Sequence, residues 1–281
     1  DGDCALPVTA RDNASHYAKR EVRAAAIARE LQVRLGYPPT QAAAKMLGTG
    51  IVESPVCAAD LHRADAIHGP AVEAIKGRAT RETPRIADFA DTLPTPGQRV
   101  PQVGHIDLMF ASGMIALVAV VKPLDFTVVV PIRRRDAASV ASAITRLRTT
   151  VEGRGHTLGA LYCDGEGAVG KIADELARLG IRVEICGPGQ HCPVVERRIR
   201  VLKERIRVHV HKLPYVMCPL LVGWCAVFCA HRLNMQYTTA FPDGPSPFEA
   251  FYGRKVNTKL DLRHAFGDYA QVLIPDPDNS M

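Results

Sequence analysis

The chain has 281 residues, 47% of them hydrophobic, with 35 Lys and Arg against 29 Asp and Glu and a formal net charge of +6. That composition excludes a disordered or collagen-like chain and provides for at least one sizeable core, in one or two domains. The mild basic excess admits a polyanionic partner such as nucleic acid without selecting one.

The eight cysteines, Cys4, Cys57, Cys163, Cys186, Cys192, Cys218, Cys225 and Cys229, include no C-x-x-C pair, and several sit inside apolar runs. They read as buried thiols in a reducing, intracellular compartment. No signal peptide precedes Asp1 and there is no initiator Met, the expectation for a piece of a longer product. Leu213 to Ala230 is uncharged over 18 residues, but Pro214 and Pro219 interrupt its first half. What remains, Leu220 to Ala230, is too short to cross a bilayer and is expected to be a buried core helix, with no membrane partner.

In chain order, residues 1–79 are expected to form a helical N-terminal region. Lys19, Arg20, Arg23, Arg29 and Arg34 alternate with Val22, Ile27, Leu31 and Leu35 up to Gly36-Tyr37-Pro38-Pro39, and Thr40 is an N-cap candidate for a short helix through Leu47. Such basic helices can touch DNA or simply present a solvated face. Residues 80–101, with Pro84, Pro94, Pro96, Gly97 and Pro101, read as a linker. Residues 102–240 are the expected main domain, and 241–281 a C-terminal extension.

Within the main domain, strands are expected at His105 to Ala111, Met114 to Val121 and Phe126 to Ile132, joined by turns at Ser112-Gly113 and Lys122-Pro123-Leu124-Asp125. A helix over Asp136 to Glu152, a strand over Leu158 to Cys163, a helix over Ala168 to Leu179 and a strand over Ile181 to Ile185 follow, then two more helices. The order βββαβαβ gives an α/β fold of ribonuclease H-like type, a mixed five-stranded sheet flanked by helices.

Three acids stand out on that frame. Asp107 lies in the middle of an apolar strand, where a charge is costly unless something pairs it. Asp164 follows the fourth strand, at the end of a sheet where ligand chemistry usually collects. Glu196 opens a basic helix, Val195 to Val210, in which Arg200, Lys203 and Arg207 fall within about 40° of it at roughly 100° per residue. Carboxylates holding two Mg²⁺ or Mn²⁺ ions beside a cationic stripe suit phosphoryl transfer on DNA. Singly, each acid also has an ordinary reading: a lone buried polar residue, a turn residue, and a helix N-terminal acid favoured by the dipole. Glu166 and Glu204 are rival third acids; Glu204 lies about 80° round the helix from Glu196.

His105-Ile106-Asp107, Gly187-Pro188-Gly189-Gln190-His191 ahead of Val195-Glu196-Arg197, and Ser246-Pro247-Phe248-Glu249-Ala250-Phe251-Tyr252-Gly253-Arg254 together resemble the DDE integrases of retroviruses and long-terminal-repeat retrotransposons, most closely those of copia-type elements. Leu35-Gly36-Tyr37-Pro38, and Ile67-His68-Gly69-Pro70 through Lys76-Gly77-Arg78, look like the region preceding the core in such polyproteins. The 31 residues between Asp164 and Glu196 are slightly fewer than the family usually has. The resemblance implies a metal-dependent polynucleotidyl transferase that processes the 3′ ends of element DNA and joins them to target DNA. Asp107, Asp164 and Glu196 would be its catalytic and metal-holding residues, and Arg197, Arg200, Lys203 and Arg207 its DNA contacts. It also implies homo-oligomers, release from a polyprotein and action in the nucleus.

A retroviral-type zinc module needs two His and a C-x-x-C pair; His62 and His68 with Cys57 and Cys4 do not supply one, and no zinc is expected. Two rival functions remain: a catalytically inactive or domesticated copy that binds DNA, and a ribonuclease H-like nuclease that hydrolyses without joining.

Overall fold

The computed structural model describes residues 9–78, 101–163, 172–178, 180–185, 192–236, 238 and 244–269. The expected linker therefore lies outside the described residues apart from Pro101, as do Gly187 to His191.

Five strands form the central sheet: β2 (Gln102–Ala111), β3 (Met114–Lys122), β4 (Phe126–Ile132), β5 (Leu158–Cys163) and β6 (Arg182–Ile185). Their order is β4-β3-β2-β5-β6. β2, β3 and β4 pair antiparallel, while β5 joins β2, and β6 joins β5, in parallel. This mixed sheet with its hairpin side and parallel side has the ribonuclease H-like strand order. Ser112 and Gly113 both take positive φ, the conformation a two-residue hairpin loop requires. β3 is buried at nearly every position, because helices cover it on both faces.

On one face, α6 (Ala137–Glu152) buries Val140, Ile144, Leu147 and Val151 against Ile106, Leu108, Leu117 and Leu161. Asp136 caps that helix by accepting a 2.7 Å hydrogen bond from Ser139 N. α7 (Ala173–Arg178) adds Leu176 to the same core. On the other face, α8 (Pro193–Lys212) and α9 (Pro219–Asn234) enclose Met109, Ala116, Val118 and Val120. No helix among the described residues is long and apolar enough to cross a membrane. The uncharged run beginning at Leu213 is a non-helical connection followed by α9, whose Val222, Cys225, Ala226 and Cys229 are buried.

The N-terminal residues fold as α1 (Ala10–Ser15), α2 (Lys19–Arg34), α3 (Thr40–Gly48), α4 (Ala58–His68) and α5 (Val72–Arg78). Thr40 is not the N-cap: that position is Pro39, and the Thr40 hydroxyl instead donates to Asp65 Oδ2 at 2.6 Å. Arg29, expected on a basic face, is tied at 2.8 Å to Asp65 and also donates to Gly69 O. The strand β1 (Val52–Glu53) pairs in parallel with β7 (Val256–Asn257), a strand from the far end of the chain. Phe248, in α10 (Pro247–Tyr252), and Leu262, just beyond α11 (Thr258–Asp261), share a core with Leu31, Leu35 and Met46. Phe251, three residues past Phe248, enters the sheet's core instead. The segment from Ser246 to Arg254 thus bridges the helical region and the sheet, with the Ser246 hydroxyl accepting from Glu249 N to start its helix.

Of the six described cysteines, Cys163, Cys192, Cys225 and Cys229 are buried as expected, whereas Cys57 and Cys218 are exposed. Cys57 precedes the first turn of α4, and Cys218 precedes α9, and both positions face solvent at helix starts.

Candidate active site

Asp107 lies midway along β2, opposite Val118 of β3. Side chains alternate along a strand, so Asp107 shares a face with Met109, while Ile106 and Leu108 point into the α6 core. Asp107 is therefore on the α8 side of the sheet, half-buried, with Oδ1 accepting from Leu108 N at 2.7 Å.

The parallel partner strand ends beside it. Cys163, the last residue of β5, pairs with Ile106, the residue before Asp107. Asp164, which follows in sequence, lies outside the described residues, as does its rival Glu166. One step back in this register, His105 and Tyr162 are partners, and their rings stack with centroids 5.4 Å apart and planes 22° apart. Both belong to the face that carries Asp107, and Tyr162 packs against the core under α8. The strand pattern contained the signal for this pair, since His105 and Asp107 are two residues apart and Tyr162 alternates with buried Leu161 and Cys163.

Glu196 stands in the first turn of α8 and is exposed. Its neighbours Cys192 and Val195 are buried in the same core as Val118, the cross-strand partner of Asp107. α8 packs on both β2 and β3, so the end of the helix that bears Glu196 is held against the carboxylate-bearing face of the sheet. Glu204, the other rival, is half-buried two turns further on.

The cationic stripe is divided by its surroundings. Arg197 and Arg200 are exposed, and Lys203 is half-buried. Arg207 lies on the part of α8 that α5 covers, and its Nε donates to Gly77 O at 3.2 Å while its Nη2 is buried. The two helices approach so closely that a Cβ on Gly77 would come within 2.3 Å of Val208 Cγ2 and 2.9 Å of Glu204 O. The glycine is needed there for space rather than for an unusual φ.

Arg198 was not among the residues singled out from sequence, yet it fixes the helix. Its Nη2 lies 2.8 Å from Asp125 Oδ2 and its Nη1 donates to Thr127 Oγ1 at 2.6 Å. Asp125 is buried, adopts a positive φ in the β3–β4 turn, and is also approached by Lys122 Nζ at 3.1 Å and the Thr238 hydroxyl at 2.7 Å. Burial pushes the Asp125 carboxyl up, but Arg198, Lys122 and the Thr238 hydroxyl together outweigh it and hold the group below the usual carboxylate value. A sequence signal did exist: Arg198 sits between Val195 and Leu202 at helical spacing, a charge on the buried stripe. Nearby, Asn234 uses its amide on the backbone of β4, accepting from Thr127 N at 2.7 Å and donating to Thr127 O at 2.8 Å. That pairing blocks part of the sheet's edge.

Asp107 and Glu196 offer hard oxygen donors from a fixed strand and a packed helix end, a donor set that fits Mg²⁺ or Mn²⁺ and not a thiophilic ion.

No known protein-family model matches the chain, and no curated protein matches it in sequence. Among solved structures, the catalytic core domain of BIV integrase aligns with a TM-score of 0.43 at 22% identity, over 54% of this chain and 93% of that one. The catalytic core domain of HTLV-2 integrase, solved in complex with magnesium in a trimeric form, aligns with a TM-score of 0.43 at 13% identity, over 54% of this chain and 97% of that one.

Proposed function

We propose that the chain is the catalytic part of a retroelement integrase, related to the copia-type enzymes its motifs resemble. In this reading it joins the 3′ ends of element DNA to target DNA after trimming them. The observation that carries the reading is the position of Asp107: a carboxylate in the middle of a core strand, on the face where α8 brings Glu196, beside the end of the strand that precedes Asp164.

Joining requires in-line attack of a 3′-hydroxyl on a target phosphodiester. A new phosphorus–oxygen bond forms as the target's own 3′-oxygen leaves, and no covalent enzyme intermediate arises. Asp107, Asp164 and Glu196 would hold two divalent ions, which when bound activate the attacking oxygen and stabilise the leaving one. The pairing of β2 with β3 and β5 fixes where the Asp107 carboxylate sits. α8, locked to the β3–β4 turn by Arg198, sets where Glu196 can reach. Arg197 and Arg200, exposed on the turns next to Glu196, supply cations for neighbouring phosphates, and Lys203 extends the stripe. Action on host DNA would take place in the nucleus, and the protein would be released from a longer polyprotein. Association of copies is supported by apolar side chains that the fold leaves exposed around the start of α9, with Val216 96%, Leu220 70% and Trp224 57% accessible.

The experiment is a strand-transfer assay with a short duplex of element-end sequence, Mg²⁺ and a plasmid target. Joined products are expected from the natural chain, and Asp164→Asn should abolish them while leaving DNA affinity largely intact, as removal of a transition-state group does. Undiminished joining by Asp164→Asn contradicts the residue assignment. Hydrolysis without joining identifies a nuclease, and DNA binding with neither identifies an inactive copy.

A further inference from the structure

On the far half of α8 from Glu196, three potential metal ligands converge in the protein interior. His209 is fully buried, as is Cys225, and Cys229 is 1% accessible. One donor atom from each lies within 4.8 Å of the other two. The two cysteines are four residues apart on α9 and so project from successive turns of one face, while His209 comes from the last turns of α8. Among the described residues, neither ring nitrogen of His209 makes a hydrogen bond of ordinary geometry, the Cys229 thiol being its nearest polar neighbour within the cluster. A buried imidazole ordinarily satisfies at least one nitrogen, so this ring lacks a group that its surroundings should supply.

The chemistry selects the missing group. Two thiols and an imidazole are soft to borderline donors, matched to Zn²⁺ rather than to Mg²⁺ or Ca²⁺. With zinc–sulfur bonds of about 2.3 Å and zinc–nitrogen bonds of about 2.0–2.1 Å, tetrahedral ligands lie within 4 Å or so of one another. That separation falls inside the observed limit. Charge balance agrees: two thiolates and a neutral imidazole on a divalent ion sum to zero, so the loaded cluster adds no net charge to the buried site. The His209 ring meets Phe228, Phe266 and Tyr37 edge-on, with centroids 5.5, 5.6 and 6.0 Å away, and the buried guanidiniums of Arg205 and Arg232 lie close enough to Cys229 to favour its thiolate form.

We propose that His209, Cys225 and Cys229 form a zinc site that clamps the C-terminal half of α8 to α9. The fourth position of the tetrahedron is left for a water molecule or a further donor. The thiol protons leave to solvent as the metal enters, so loading depends on pH. Because α8 also carries Glu196, the clamp sets the rigidity of the helix on which the proposed third acid stands. The site is independent of the integrase reading and would survive its failure.

The test uses the full chain purified without chelator. Elemental analysis is expected to find one zinc ion per chain. Replacement by Co²⁺ is expected to give an intense thiolate-to-cobalt charge-transfer band in the near ultraviolet, which oxygen-ligated ions at the carboxylates cannot produce. Cys225→Ser combined with Cys229→Ser should remove both the zinc and the band. If that double variant fails to fold, the cobalt spectrum and zinc content of the natural chain decide alone. Absence of stoichiometric zinc together with absence of the charge-transfer band after reconstitution overturns the proposal, and so does zinc retained undiminished by a folded double-serine variant.

Discussion

Arg198 Nη2 lies 2.8 Å from Asp125 Oδ2, joining the second turn of α8 to the β3–β4 turn through an ion pair whose carboxylate is buried. The pair matters because Glu196 is two residues away on the same helix. Breaking a buried pair leaves an uncompensated charge, so Arg198→Met is expected to destabilise the fold by about 3 kcal/mol, moderated by the remaining Lys122 partner. Urea unfolding measures this. An unchanged midpoint would show that Asp125 is served equally well without the guanidinium.

The same network gives the fold an acid limit. Asp125 titrates below its ordinary 3.8, so its contribution is complete above that value and is lost as pH falls through the lower folded-state pKa. Unfolding midpoints followed from neutral pH to below 3.8 should fall in that range, and Asp125→Asn should flatten part of the decline. If the two proteins decline in parallel, other carboxylates govern acid unfolding.

Arg200 and Arg207 share a helix face but not an environment. Arg200 is exposed, so Arg200→Ala should weaken DNA binding across sequences and reduce the slope of log affinity against log salt by about 0.9, one phosphate contact. Arg207 donates to Gly77 O under α5. Arg207→Ala should therefore lower stability and leave the salt slope unchanged. Fluorescence anisotropy over a salt series distinguishes the two, and equal slopes for both variants would mean that α5 leaves this face in the DNA complex.

Much of the sheet was legible in the sequence because its strands are short apolar runs punctuated by turn residues. Phe126 to Ile132 and Leu158 to Cys163 begin and end where their patterns do. Asp107 was conspicuous for the same reason, as a charge inside such a run. What sequence periodicity could not supply was the company each helix face keeps. The stripe from Glu196 to Arg207 is uniform by angle, yet α5 covers only its far end, through a contact between segments some 130 residues apart that hinges on Gly77 lacking a Cβ. Thr40 looked like a cap, but Asp65 offered its hydroxyl a better partner. The His209, Cys225 and Cys229 cluster escaped a search for closely spaced ligand pairs because its thiols are one helical turn apart and its histidine is on another helix.

Most directly, the claim that three acids share one metal site is tested by crystals of the chain soaked in Mn²⁺ and measured for anomalous scattering. A peak in contact with the carboxylates of Asp107 and Asp164, with Glu196 within reach of it or of a second peak, is the expected result, at metal–oxygen distances close to the roughly 2.1 Å of such hard ions. Ordered carboxylates separated by well over about 8 Å, with no manganese between them, would contradict it, because ligands so far apart cannot meet on ions bound at that distance.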